Sequence, residues 1–301
     1  MPELPEVETV CRNLREGLPS RSSRAKGGRR PGGRPHAGRR AACPSLLGRR
    51  ITGSRLLWPP TLVTPAPARF RARVRGQRVR EVTRRGKFIL VRLTTDTLLF
   101  HLRMGGALQL EPRAAPLSPH CRLVLELGTR WQLVFCNPRK FGRVWLTADP
   151  GSVLGELGPE PLADAFSVEH LSALLAERHR RIKPLLLDQR FLAGLGNIYA
   201  DEALHRARIH PLSLASDLPL PRRRALWGSI RKVLREAIRY NGTSFDEGYG
   251  GGAYFTRLRV YQRTGRPCRR CGTPIERILV GQRSTHFCPA CQARPGARAR
   301  S

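Results

Sequence analysis

The chain has 301 residues, 40% of them hydrophobic, which is enough to bury more than one core, so two domains and a small module are expected. Its 55 Lys and Arg against 22 Asp and Glu give a formal net charge of +33, a field that calls for nucleic acid first and an anionic membrane second. No run approaches the roughly 18 apolar residues of a spanning helix, and Met1-Pro2-Glu3-Leu4-Pro5-Glu6 is acidic where a secretion signal is basic and then apolar, so a cytoplasmic chain without a membrane partner is expected.

The first element predicted is a short amphipathic helix. Val7, Val10, Cys11, Leu14 and Leu18 fall at helical spacing, and Pro5 sits in the first turn, where its missing N–H costs nothing. From about residue 19 to 45 the chain turns to Arg, Gly, Pro and Ser without an acidic residue, which reads as a disordered basic insertion, either a sequence-blind DNA tether or a neutral surface segment. Between Leu46 and Leu146 strand signals dominate: Phe88–Val91, Leu98–Phe100, Leu123–Leu125 and Trp131–Phe135, separated by Gly and Pro turns. They predict an antiparallel β-sandwich and an N-terminal domain over 1–150. After the turn-rich Gly155–Pro161 the pattern becomes helical, with Ser167 as an N-cap and Leu226, Ile230, Val233, Leu234 and Ile238 on one face of a longer helix. A helical domain over 151–263, a small finger over 264–293 and a disordered tail over 294–301 complete an α+β chain.

Three motifs carry chemistry. At the N-terminus, a small second residue permits removal of Met1 and leaves Pro2 as a secondary amine; terminal amines titrate at about 7.7–8.0, so it can act as a nucleophile. Its adduct with a sugar C1′ is an iminium, an electron sink that acidifies C2′, and Glu3 is placed to exchange protons with the opening sugar. By composition alone the same residues also fit an exposed turn. Gly194-Leu195-Gly196-Asn197 runs into a helical start and reads in two ways, as a phosphate cradle with Asn197 donating or as an ordinary helix cap. Cys268-x2-Cys271-x16-Cys288-x2-Cys291 places four thiolates around a tetrahedral ion and predicts one structural Zn2+, since four protein ligands leave no position for a reacting water. Arg269, Arg270, Arg277 and Arg283 surround it and suit phosphates. Cys11, Cys43, Cys121 and Cys136 are scattered and read as ordinary thiols in a reducing compartment.

With these residues in view, the chain resembles the formamidopyrimidine-DNA glycosylases, base-excision repair enzymes of the superfamily shared with endonuclease VIII. The matching stretches run almost the whole length: PELPEVETV, RRGKFILVRL, HLRMGG, NPRKFGRVW, LGPEPL, IKPLLLD, GLGNIYADEAL and CRRCGTPIERILVGQRSTHFCPAC. The resemblance implies an N-terminal helix plus β-sandwich, a helix–two-turns–helix domain and a C-terminal β-hairpin zinc finger. It implies a bifunctional glycosylase and abasic-site lyase acting on oxidised purines in double-stranded DNA, working as a monomer in the bacterial cytoplasm near the nucleoid. Pro2 would be the Schiff-base nucleophile, Glu3 the acid, Lys87 a strand-borne cation beside the lesion phosphate, and Arg283 the phosphate grip of the second elimination. Met104, Arg139 and Phe141 would fill the void left by a flipped nucleotide, with His120, Arg178, Lys183 and Asn197 as further DNA contacts and Glu6 steadying the first helix.

The chain departs from the family pattern at Arg103, where glycine is usual, and at Asn137 and Lys140, which replace the commoner Asp and Arg. The lesion-capping segment, residues 242–255, is short and lacks the usual Gly before Tyr254-Phe255, which leaves lesion preference open. An endonuclease VIII-like action on oxidised pyrimidines, or zinc-dependent DNA binding without catalysis, are the competing readings.

Overall fold

The computed structural model describes residues 2–17, 43–243 and 252–294. The expected insertion lies outside them apart from its last three residues, as do residues 244–251 of the capping segment and the tail from 295 onward. The chain divides into two compact units, one of Met1–Thr9, Arg84–Phe88 and Asp149–Ser301, the other of Val10–Thr83 and Ile89–Ala148. This differs from the division in chain order, which put residues 1–150 together. The reason is packing: Leu4 is fully buried among the helices of the first unit, and its N–H donates to the Gly194 carbonyl at 3.0 Å.

The second unit is the sandwich. Helix α1 (Leu4–Glu16) enters it at Val10, buries Val10, Cys11 and Leu14, and ends at Gly17, whose φ of +80° is the left-handed conformation of a helix stop. One sheet has the order β1 (Gly53–Leu56), β7 (Cys121–Leu127), β8 (Trp131–Cys136), β6 (Ala107–Pro112). The other runs β2 (Leu62–Thr64), β9 (Arg143–Thr147), β5 (Thr97–His101), β4 (Phe88–Arg92), β3 (Glu81–Arg85). The first sheet is antiparallel as expected; in the second, β2 pairs parallel to β9, an exception the alternation pattern did not carry. Phe100 of β5 meets Phe135 of β8 edge-on with ring centroids 5.7 Å apart, joining the two sheets through the core. A helix α2 (Pro67–Val74), which no motif announced, starts with Pro in its first turn and buries Phe70 and Val74.

The first unit is helical. Its helices are α3 (Gly151–Leu154), α4 (Val168–Ala176), α5 (Ile182–Leu187), α6 (Asn197–Ala207) and α7 (Leu220–Arg239). Ser167 caps α4 as predicted, its side chain accepting the His170 N–H at 3.1 Å. A hairpin, β10 (Glu276–Val280) and β11 (Arg283–Phe287), closes through Gly281 and Gln282, both left-handed at φ 54° and 58°, the two-residue turn that matches strand twist.

Buried Glu202 of α6 fixes the segment that feeds this hairpin. Its carboxylate accepts the N–H groups of Arg259, Val260 and Tyr261 at 2.9–3.0 Å. Glu202→Ala leaves one buried and two half-buried donors without that acceptor, so a loss of about 2–3 kcal/mol is expected in chemical denaturation, with faster zinc loss to a chelator. A variant as stable as the parent would show that this clamp is not needed.

Candidate active site

The N-terminus builds its own scaffold. Glu6 supplies one half of a capping box at the start of α1: the Glu3 N–H donates to Glu6 Oε2 at 2.9 Å. The other oxygen of Glu6 accepts from the Tyr199 hydroxyl at 2.5 Å and from the Thr243 N–H at 2.8 Å. Gly242 is required there, because its φ is +75° and a Cβ would lie 2.4 Å from Glu6 Oε1. Glu6 therefore does more than steady α1; it ties the terminus to α6 and to the strand-free segment after α7.

The Glu3 side chain lies at the N-terminus of α6, accepting the Ile198 N–H at 3.0 Å and the Tyr199 N–H at 3.4 Å. The acidic group that the glycine-rich turn holds in this structure is thus a carboxyl of the same chain, and Gly196 leaves the room for it: a Cβ there would fall 2.3 Å from the Glu3 carboxyl carbon. Burial pushes the Glu3 carboxyl up from 4.5 to about 7, the nearby Lys87 ammonium opposing and the Glu6 charge reinforcing the shift. Pro2 is buried immediately before it.

Lys87 sits in the two-residue turn between β3 and β4 and not on a strand as expected. The reason is the grip on that turn. Glu160, in the Leu157–Leu162 stretch, accepts from Arg84 at 2.7 Å, from Arg85 at 3.2 Å and from the Gly86 N–H, while Arg85 also donates to the Leu157 and Gly158 carbonyls. A left-handed Gly86, φ +56°, reverses the chain, and buried Lys87 faces Glu3.

Lys183 and Asn197 occupy places other than a free phosphate-binding surface. Lys183 has no exposed area; its ammonium pairs with Asp201 at 2.6 Å and donates to Thr285 Oγ1 at 2.7 Å and the Ser284 carbonyl at 2.9 Å. Asn197 donates to the same Ser284 carbonyl at 3.0 Å. Both hold β11, whose first residue, exposed Arg283, lies within electrostatic range of Lys183. Asp201 completes the join by accepting the His286 N–H at 2.9 Å. Arg178 is exposed on the loop after α4. Asp201, Tyr199 and Glu160 went unassigned in the sequence; each lies inside a quoted motif, and only its partners give it a role.

In the sandwich unit, exposed Met104, Arg139 and Phe141 come together: Arg139 donates to the Met104 sulfur at 3.2 Å and lies 5.3 Å from the Phe141 ring centroid. Asn137 sets the loop that presents them. Its amide donates to the Leu102 and Met104 carbonyls at 3.1 and 3.2 Å, and its oxygen accepts from Phe141 and Gly142 at 2.7 and 3.2 Å. Exposed His120 reaches this loop through its backbone, its carbonyl accepting the Asn137 N–H at 2.8 Å.

The four knuckle cysteines converge, their Sγ atoms all within 4.8 Å of one another, as a tetrahedral ion with Zn–S near about 2.3 Å requires. The donor set fits one structural zinc.

Comparison with known proteins agrees with this layout. The formamidopyrimidine-DNA glycosylase N-terminal domain matches residues 36–144, its H2TH domain residues 157–247, and the zinc finger found in FPG and IleRS residues 265–294. A formamidopyrimidine-DNA glycosylase of Chloroflexus aggregans is 44% identical over 97% of this chain and 98% of its own, and one of Protochlamydia amoebophila is 38% identical over 97% and 99%. The chain belongs to the formamidopyrimidine-DNA glycosylase family. The Lactococcus lactis enzyme, solved with DNA containing FAPY-dG, superposes with a TM-score of 0.82 at 32% identity, covering 97% of this chain and all of that one. Within the family frame the Cys268, Cys271, Cys288 and Cys291 cluster is a structural zinc finger, and the glycine-rich turn before α6 falls in the H2TH domain.

Two outcomes are expected. The fold favours protonated Glu3, so that contribution is complete below the unfolded value of 4.5 and disappears as pH rises through about 7. Stability measured across that window should therefore shift in favour of Glu3→Gln by about 3 kcal/mol relative to the parent; a difference independent of pH would contradict the raised carboxyl. Asn137→Ala strips four hydrogen bonds from a buried position and should cost about 2–4 kcal/mol in thermal or urea unfolding while leaving zinc content unchanged.

Proposed function

We propose that this protein excises oxidised purines, formamidopyrimidines and 8-oxoguanine, from duplex DNA and then cleaves the strand at the resulting abasic site. The observation that carries the reading is the pairing at the terminus: a buried Pro2 followed by a carboxyl titrating at about 7, with Lys87 facing it. With Met1 removed, the Pro2 nitrogen attacks C1′ of the damaged nucleotide, the glycosidic bond breaks, and the base leaves with its bonding electrons and takes up the proton that the nitrogen gives up. Protonated Glu3 gives its proton to the ring oxygen as the sugar opens, leaving a cationic iminium between Pro2 and C1′. Loss of a C2′ proton expels the 3′ phosphate, and a second elimination expels the 5′ phosphate. Lys87 and Arg283 stabilise the departing phosphates, and Lys183 and Asn197 serve by holding β11, the strand that starts at Arg283.

Met104, Arg139 and Phe141 suit the vacancy left by a flipped nucleotide: the apolar pair wedges between bases and Arg139 hydrogen-bonds the widowed base. Arg178 and His120 are assigned to flanking backbone. MutM solved with carbocyclic 8-oxo-G-containing DNA and the L. lactis enzyme solved with abasic-site DNA support the substrate class, and the L. lactis enzyme has also been solved with DNA containing an oxidised pyrimidine.

Borohydride reduction in the presence of a lesion duplex should trap a covalent adduct on Pro2. Pro2→Gly should reduce trapping at least tenfold while duplex affinity stays within a few-fold. A full-length protein with Met1 removed that binds the duplex tightly, forms no adduct and leaves no nick would establish the non-catalytic reading instead. Single-lesion duplexes carrying formamidopyrimidine, 8-oxoguanine, an abasic site or an oxidised pyrimidine then rank the substrates, and fastest turnover of the last would assign endonuclease VIII-like specificity.

A further inference from the structure

Cys121 and Cys136 face each other across β7 and β8 with their sulfurs 2.7 Å apart. That is far inside the contact distance of two non-bonded sulfurs and approaches the roughly 2.05 Å of a disulfide bond. It is also shorter than a metal site gives: three of the knuckle sulfur pairs lie 3.4–4.0 Å apart, in line with the roughly 3.8 Å between two ligands of one tetrahedral zinc. The backbone places Cys121 directly opposite Cys136, with a register shift between Cys121 and Leu123 immediately beyond the pair. The Asn137 N–H donates to the His120 carbonyl, and the Cys121 N–H turns away to Ser118, so the two cysteines occupy a non-hydrogen-bonded position of the antiparallel ladder. Such pairs have Cα atoms about 4.5 Å apart, within the range of about 4.4–6.8 Å that a disulfide spans.

The pair lies in a small cluster with Val124, Val134 and Leu117, separate from the contact between Phe100 and Phe135 that joins the sheets. Cys121 is buried and Cys136 half-buried, so a small oxidant reaches the pair at Cys136. The hydrogen bond between the two sulfurs lowers the Cys121 thiol from its ordinary value against the cost of burial, and the same bond pushes Cys136 up.

We infer that Cys121 and Cys136 form a reversible oxidation site that a peroxide closes to a disulfide without moving the backbone, stapling the β7–β8 hairpin ahead of the Asn137–Phe141 loop. Hydrogen peroxide transfers one oxygen to a sulfur of the pair, giving a sulfenic acid and water. The neighbouring thiol attacks that sulfur; its proton leaves with the hydroxyl as a second water, and the S–S bond forms. Two thiols are oxidised by two electrons and one peroxide is reduced. A dithiol reductant returns both thiols by exchange.

The test uses the zinc-loaded full chain and hydrogen peroxide. After brief treatment, intact mass should fall by about 2 Da, and a digest made after blocking of the remaining free thiols should yield a peptide linking Cys121 to Cys136, before zinc release is seen with a chromogenic chelator. Closing a short loop should raise Tm by roughly 4–8 °C, reversed by dithiothreitol and absent in Cys136→Ser. Zinc release while Cys121 and Cys136 remain blocked as free thiols would overturn the proposal. So would stable sulfinic acid at Cys136, or a linked peptide that brings no change in Tm.

Discussion

The burial of Glu3 at the head of α6 is the constraint on which the rest of the site depends. A carboxyl removed from water needs donors, and the two that face it are backbone N–H groups at a helix start, a position reachable only because Gly196 has no Cβ. The same geometry fixes Leu4 in the helical core and forces the Glu3 N–H toward Glu6. Glu6 in turn commits the Tyr199 hydroxyl and Thr243. One acidic pair at the terminus thereby orders three separate stretches of chain. Buried Pro2, just before Glu3, is thereby positioned by the fold although it belongs to no regular element.

The cations of the first unit divide by partner. Lys183 is neutralised by Asp201 at 2.6 Å and spends its remaining donors on β11, so its charge serves assembly of the hairpin. Lys87 is delivered by a turn held through Glu160 and lowers the Glu3 pKa that burial raises. Removing one partner of the Lys183–Asp201 pair would leave a buried charge uncompensated, a change costing about 3–5 kcal/mol, whereas surface arginines can be exchanged at little cost to the fold.

How much of this was legible in the sequence follows from range. The first helix, the strands at Phe88, Leu98, Leu123 and Trp131, the Ser167 cap and the long helix after Pro219 rest on local periodicity and capping, and all are present. Helix α2 and the parallel β2–β9 pair depend on tertiary context and had no local signal. Within the site, the zinc knuckles were readable because four ligands at fixed spacing carry their own geometry. Glu160, Asp201 and Tyr199 were not, because each acts through a partner distant in sequence, up to 193 residues away for Tyr199 and Glu6. The Lys183–Asp201 pair was likewise not legible, because an Ile-Lys-Pro helix start carries no local sign of the buried partner on α6.

The replacement of the commoner Asp by Asn137 shows how a departure from pattern can be chemically complete in itself. A carboxylate could accept from Phe141 and Gly142 but would turn its second oxygen toward the Leu102 and Met104 carbonyls, two acceptors facing a third. The amide resolves that conflict by donating to both carbonyls while accepting both N–H groups, so every hydrogen-bonding group of the side chain is used. With Arg103 and Lys140 in left-handed conformations on either side, the loop holding Met104, Arg139 and Phe141 is fixed by one neutral residue. Its geometry then does not depend on pH, in contrast to Glu3, whose protonation is set by burial and by Lys87. The loop and the Glu3 carboxyl are therefore built on opposite principles: one is held by a neutral amide across the range in which the other titrates.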